Sequence, residues 1–394
     1  MKIEGVDAFF LALPDIADVG DGSQDMVLIR VVADGHVGWG ECEASPIPTI
    51  AALVTPPSHS ACHGVLDSVL GQRLDGPEDI TRIAGEVDRR SFDLLQAPHA
   101  WSGVEIALWD LLGRVKEEPV YRLLGMQHAQ ARLPYASVLF GDDPAETHDK
   151  ARQAIADGFS AVKFGWGPFG QQVEVDRELL AAAREGLGPE PLLLVDAGTV
   201  FGTDVDAAAA RLPMLEDAHA TWLEEPFEAG AFGAYAALGA RTRSVKLAGG
   251  EGSHNRHVAL GLIDYGKVGY IQIDTGRIGG IGPARAVALH AAAHGVEFVN
   301  HTFTSHLALS ASLQPFADSP GRCLCEYPQE LSALAKAVTA VGIQRDADGL
   351  IRLPDQPGLG VSVDTAGLRP YLKHLEIIEG TTVLYRTPQL DDGV

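Results

Sequence analysis

The chain has 394 residues, too many for one small domain and enough for an α/β barrel with a second, smaller unit. Lys and Arg number 30 against 53 Asp and Glu, and the formal net charge of −23 repels phosphate backbones and anionic bilayers, which argues against nucleic-acid and membrane partners. With 46% hydrophobic and 21% charged residues the composition is that of a globular enzyme, and no apolar run approaches the ~18–20 residues needed to span a bilayer.

The N-terminal MKIEGVDAFFLALPDI has a short apolar run without a basic cluster and reads as a first strand rather than a signal peptide. DMVLIRVVADGHVGWGE reads as two further strands turning at Asp34-Gly35. The Pro-rich stretch Ser45 to Ser60 has no clear periodicity and is expected to be a loop long enough to act as a lid. From Pro98 to Leu124 the chain reads as helices broken near Pro119, with Val104, Ala107, Leu108, Leu111 and Leu112 at helical spacing. Cys42, Cys62, Cys323 and Cys325 form no CxxC pair; free thiols in a reducing cytoplasm are expected.

From Leu133 short apolar runs alternate with Ala-rich amphipathic segments: LPYASVLF, AVKFGW, LLLVDAG, TWLEEP, VKLAGGE, YIQIDTG, VEFVNH and CLCEYP. Parallel strands need crossovers, so this rhythm predicts an α/β fold closed as a (β/α)8-type barrel. The stretch from Asp364 onward falls outside the rhythm and is expected to return to the N-terminal unit. The expected division is 1–128 for an α+β domain, 129–360 for the barrel and 361–394 for the returning segment.

The strand ends carry the chemistry, because in a barrel they point into one shared site. They read Lys163, Asp196, Glu224 with Glu225, Glu251, Asp274, His301 and Glu326, each about one βα unit from the last. Asp196, Glu224 and Glu251 would repel one another in a low-dielectric pocket, and a divalent cation would offset that. Oxygen-only ligation suits a hard ion, so Mg2+ is the expected metal. Strand alternation lets only one of Glu224 and Glu225 face the axis. Asp274 and His301 are one unit apart, and an aspartate on one imidazole nitrogen leaves the other as base or acid. His306 competes with His301, and His254 and His257 follow Glu251. The run Gly276 to Gly282 lacks GxGxxG order and reads as a tight βα turn.

Together these residues resemble the enolase superfamily, and within it the mandelate racemase subgroup. The resemblance covers nearly the whole chain: an N-terminal α+β capping domain, a modified barrel and a C-terminal return. It implies metal ligands at Asp196 in LLLVDAG, Glu224 in TWLEEP (preferred over Glu225) and Glu251 in LAGGE. It implies a His–Asp dyad of His301 in FVNHTF and Asp274 in IDTGRIGG, and a substrate-binding acid at Glu326 in CLCEYP. The Lys-x-Lys motif of the second strand matches only at Lys163; the second lysine is replaced by Gly165.

That departure removes one of the two bases a racemase needs. The resemblance therefore implies a Mg2+-dependent dehydratase, a lyase, of a sugar acid. His301 would take the α-proton and then protonate the departing β-hydroxyl, giving a 2-keto-3-deoxy acid. Lys163 would supply positive charge beside the substrate carboxylate. The alternative is a racemase or epimerase of a carboxylate substrate; cycloisomerisation ranks lower without the second lysine, and a non-catalytic binding protein lower still. The expected partners are a small-molecule carboxylate and further copies of the chain in a homo-oligomer. Substrate choice is expected to lie with loops Pro14 to Gln24 and Ser45 to Ser60.

Overall fold

The computed structural model describes residues 1–43, 45–321 and 323–391. Strands β1 (Ile3–Ala12), β2 (Asp25–Ala33) and β3 (His36–Glu43) form an antiparallel sheet in that order. The turn between β2 and β3 places Asp34 and Gly35 at φ 49° and 77°, the left-handed pair that matches strand twist in a tight hairpin. The helix Ala97–Lys116 packs on β2 and β3, and its expected apolar stripe is buried. It is broken before Pro119, and a short helix, Val120–Leu123, follows.

The Pro-rich segment departs from expectation. Pro46–Val54 is a helix, with Pro46, Thr49, Ile50, Ala52 and Leu53 buried in the small domain. Its prolines fall in the first turn, where backbone N–H groups have no helical acceptor and the fixed φ of proline suits the helix. The composition that suggested a loop is therefore, over Pro46–Val54, a helix start, and that part of the segment packs into the core.

The second unit is a parallel sheet of β4 (Leu133–Leu139), β5 (Ala161–Gly165), β6 (Leu192–Asp196), β7 (Ala220–Glu224), β8 (Lys246–Gly249), β9 (Tyr270–Ile273), β10 (Glu297–Asn300) and β11 (Leu324–Pro328). Neighbours follow chain order from β4 to β10, and β11 pairs with β4, so the sheet curls into a nearly closed barrel. Between β10 and β11 a side chain stands in for the ladder. Asn300 Oδ1 accepts from the Glu326 amide at 3.0 Å, and its Nδ2 donates to the Glu326 carbonyl at 3.4 Å and to Ser312 Oγ at 3.1 Å.

Inside the barrel Tyr135, Ala161, Leu194, Trp222, Ala248, Val299 and Leu324 form a separate apolar layer. Successive inward residues on a strand are two apart. The layer above, toward the strand C-termini, therefore holds Lys163, Asp196, Glu224, His301 and Glu326. Trp222 puts Glu224, and not Glu225, on the axis.

The domains are sewn together by buried acids. Asp110 Oδ2 accepts from the Trp39 amide at 2.9 Å and Oδ1 from the Leu359 amide at 2.8 Å, tying helix, sheet and C-terminal crossing. Glu105 accepts from the amides of Ile281 (2.7 Å) and Gly282 (2.8 Å), capping the barrel helix Ile281–Ala293 from the small domain. The Gly276 to Gly282 run is a βα turn, and Gly280 (φ 105°) has no room for a Cβ, which would lie 2.1 Å from Glu105 Oε2. The C-terminal hairpin β12 (Glu376–Glu379) and β13 (Thr382–Arg386) lies against β1: Tyr385 Oη donates to the Ala8 carbonyl at 2.6 Å, and the Lys373 amide to that of Phe10 at 2.8 Å. Among the described residues no helix is long and apolar enough to cross a membrane.

Leu53→Ala separates the core reading of Pro46–Val54 from the lid reading. The truncation is expected to lower the unfolding free energy by about 2–5 kcal/mol, measured by urea denaturation. A solvent-facing lid would leave the midpoint unchanged.

Candidate active site

The C-terminal ends of the barrel strands surround a cavity of about 250 Å³. Lys163, Asp196, Glu251, His301 and Glu326 line it, while Asp274 and Glu224 sit behind and bond to lining groups. The structure thus gathers all seven sequence-derived residues at one end of the barrel. Val19, Gly20, Asp21 and Gly22 close the cavity from the small domain. Their loop is braced internally by Gln24, whose Oε1 accepts from the Ala17 amide at 2.8 Å, and externally by Ser332, whose Oγ donates to the Ser23 carbonyl at 2.6 Å. The other expected specificity segment, Ser45 to Ser60, contributes no described residue to the lining, because its first half is the buried helix.

Asp196, Glu224 and Glu251 can each offer an oxygen within 4.8 Å of the others, and all three are buried. Burial and neighbouring acids raise Asp196 to about 6 against the opposing pull of Lys163. Burial pushes Glu224 well above the usual carboxylate range, also against Lys163. Trp222 Nε1 donates to Glu224 Oε2 at 3.1 Å and orients it. Glu225 turns away: its backbone is left-handed (φ 37°), and Oε1 accepts from the Gly252 amide at 3.2 Å. The donor set of crowded, buried carboxylate oxygens fits a hard divalent cation.

Lys163 is the cation that pairs with Asp196 and Glu224 of that cluster. Its Nζ lies 2.8 Å from Glu224, 2.9 Å from Glu326 and 3.4 Å from Asp196. Burial lowers its pKa, but Glu224 and Glu326 outweigh this and hold it well above its ordinary value. Glu326 also accepts the Thr302 amide at 2.7 Å. Gly165 faces the same space: a Cβ there would stand 3.0 Å from that of Asp196. The missing second lysine therefore coincides with a close approach of β5 to a site acid.

His301 Nδ1 is 2.7 Å from Asp274 Oδ2. A carboxylate only accepts, so Nδ1 carries the proton and Nε2 faces the cavity. Nε2 lies 3.2 Å from Glu251 Oε2 and 3.9 Å from Glu326 Oε2. Burial lowers the His301 pKa, but Glu251, Glu326 and the Asp274 bond lift it to about 10. Asp274 is pulled to about 2 despite its burial, chiefly by the His301 bond, and its Oδ1 accepts the Gly276 amide at 2.6 Å.

Two charged groups escaped the sequence reading. Glu43, from β3, and Arg277, just past Asp274, meet at 2.6 Å, and Arg277 reaches Glu251 at 3.2 Å. Burial raises Glu43 to about 7 although Arg277 opposes it. The signal was present: GECE puts Glu41 and Glu43 on one face of an otherwise buried strand. Trp166 was also missed; it lines the cavity, as do the apolar Val138, Leu139 and Phe303. The competing histidines lie elsewhere. His306 Nδ1 accepts from the Ile343 amide at 2.9 Å, and His254 Nδ1 is 3.0 Å from His99 Nε2 of the small domain.

Known proteins resemble this chain in sequence and in fold. D-galactarolactone cycloisomerase of Agrobacterium fabrum is 29% identical, covering 88% of this chain and 90% of that protein. D-galactonate dehydratase of Variovorax paradoxus is 30% identical, covering 84% and 86%. The crystal structure of a predicted mandelate racemase from Rhodobacter sphaeroides superposes with a TM-score of 0.94 at 58% identity, covering 98% of this chain and 100% of that one. Residues 15–125 match the mandelate racemase / muconate lactonizing enzyme N-terminal domain, and residues 146–367 match the enolase C-terminal domain-like family. The two models follow the small domain and the barrel in turn, and the chain belongs to the mandelate racemase / muconate lactonizing enzyme family of the enolase superfamily.

Proposed function

We propose that the protein is a Mg2+-dependent dehydratase of a sugar acid, an aldonate or aldarate, yielding a 2-keto-3-deoxy acid. The observation that carries this reading is the single imidazole dyad. His301, oriented by Asp274, is the one imidazole lining the cavity among the described residues, and Gly165 stands where the second-strand lysine would face it. The relatives named above act on galactonate and on a galactarolactone, which supports a polyhydroxy acid as substrate.

Asp196, Glu224 and Glu251 would hold Mg2+, which would supply positive charge to the substrate carboxylate. His301 Nε2 takes the α-proton while Asp274 holds Nδ1 and stabilises the imidazolium. The C–H electron pair becomes the new C=C bond, and the same Nε2 returns its proton to the β-hydroxyl as the C–O bond breaks and water leaves. Tautomerisation of the enol gives the keto acid. Lys163 Nζ donates toward the carboxylate and Glu326 positions Lys163 and a substrate hydroxyl. Lys163 serves poorly as a second base, because three acids already hold its ammonium.

Screening aldonic and aldaric acids with Mg2+ tests the substrate class, with 2-keto acid formation as the readout. EDTA is expected to abolish turnover and Mg2+ to restore it. Asp196→Ala, Glu224→Ala and Glu251→Ala should each weaken Mg2+ binding in calorimetry. Full activity in metal-free buffer would overturn the metal assignment, and loss of Mg2+ in Glu225→Ala but not Glu224→Ala would move the β7 ligand by one residue.

His301→Asn in D2O separates dehydration from epimerisation. With one base, the variant should lose about 10²–10⁴-fold in dehydration and in α-proton exchange together. Asp274→Asn should lose less, since the imidazole remains. Continued exchange from one substrate epimer would require a second base and favour the racemase or epimerase reading.

A further inference from the structure

The opposite end of the barrel carries a second group of donors that the chemistry above does not use. Asp264 lies in the π-helical turn Leu262–Gly266 that precedes β9. His290 and His294 are one helical turn apart at the C-terminal end of the helix Ile281–Ala293, with His294 at its cap. Residues i and i+4 share a helix face, and here the two rings stack with centroids 4.0 Å apart and planes at 29°. Both imidazoles direct Nε2 at the same oxygen: His290 Nε2 is 2.8 Å from Asp264 Oδ1, and His294 Nε2 is 3.9 Å from it.

The proton inventory makes the arrangement unusual. His294 Nδ1 lies 2.9 Å from the His290 carbonyl oxygen, which can only accept. Nδ1 is therefore the N–H donor, and in the neutral ring Nε2 presents a lone pair to an anionic carboxylate. A lone pair facing an anion across 3.9 Å leaves a gap that a bridging water, a proton or a metal ion fills. A ring nitrogen anchored to a backbone carbonyl so that the other is free is the arrangement that orients metal-ligating histidines.

We propose that Asp264, His290 and His294 form a binding site for a borderline divalent transition ion of the Zn2+ class. Zinc–donor distances of ~2.0–2.1 Å in tetrahedral geometry imply donor–donor separations of about 3.3 Å, and the observed 2.8 and 3.9 Å bracket that value. The ion takes the place of the proton between His290 Nε2 and Asp264: a neutral ring moves that proton to Nδ1 and binds through the Nε2 lone pair, and a protonated ring releases one proton to solvent. The side chains are partly open, 27% for His290, 48% for His294 and 35% for Asp264, so water can complete the coordination. A surface hollow bordered by Asp264, Lys267 and His294 gives access. Two imidazoles with one carboxylate select against Mg2+, which favours oxygen ligands. The hollow is lined by Lys246, Gly269 and Val296, at the entry ends of β8, β9 and β10. The ion would thus cross-link two elements on the face of the barrel away from the catalytic acids.

The test titrates the full-length protein with ZnCl2 in excess Mg2+, which occupies the carboxylate site. One Zn2+ per chain is expected in the unchanged protein and none in the His290→Ala/His294→Ala double variant. Asp264→Asn should weaken binding at least about tenfold. Co2+ gives an independent readout: tetrahedral d–d bands are expected in the unchanged protein and absent in the double variant. Zn2+ should also raise the melting temperature of the unchanged protein alone. Equal Zn2+ stoichiometry in both proteins, or no binding in either, would overturn the proposal and leave a hydrogen-bonded surface cluster.

Discussion

Negative charge crowded into a dry space governs this molecule. Glu43, Asp196, Glu224, Glu225, Glu251, Asp274 and Glu326 are all buried around one cavity, opposed by Lys163, Arg277 and His301. Burying charge without a partner costs several kcal/mol per ion, so each acid is either paired or accepts backbone N–H groups. Lys163 bridges β5, β6, β7 and β11 through its three carboxylates. Arg277 does the same between β3 and the loop of Glu251. The apolar layer beneath, with Trp222 edge-on to Tyr135 at 5.6 Å and 83°, is the low-dielectric floor that makes these pairings strong.

The small domain is part of that electrostatic arrangement. Glu43 reaches the site along β3, and Glu105 holds the turn that follows Asp274 by capping the next helix. Displacement of the helix Ala97–Lys116 would therefore move Arg277 and Asp274 as well as the roof of the cavity. Substrate selection and proton chemistry share a frame, with Val19 to Gly22 closing over residues whose positions the same domain helps to set.

The residues that were legible in the sequence are those that repeat. A closed barrel converts a spacing of about one βα unit into proximity, so Asp196, Glu224, Glu251, Asp274, His301 and Glu326 could be placed together without coordinates. Period-two alternation settles Glu224 against Glu225 once Trp222 is known to face inward. Glu43 and Arg277 have no such period: one arrives from a hairpin far earlier in the chain, the other from a loop. Pro46–Val54 misled because proline marks both loops and helix starts, and only the burial of Ile50 and Leu53 tells them apart. Trp166 (φ 57°) is set by a backbone conformation that a non-glycine residue rarely signals.

The seam between β10 and β11 bears on how the chain reaches this state. β11 pairs with β4, the first barrel strand, so closure joins segments separated by nearly the whole barrel sequence. Contacts of such separation form slowly, after loop-closure entropy has been met. Asn300 then stitches the last gap with one side-chain amide where a ladder would offer several backbone bonds. During synthesis the ammonium of Lys163 waits for Glu326, the final strand's acid, so the charge balance of the pocket is completed only when the C-terminal part of the barrel has emerged. The seam is thus the place where amide exchange and early unfolding should concentrate, and it runs between His301 and Glu326.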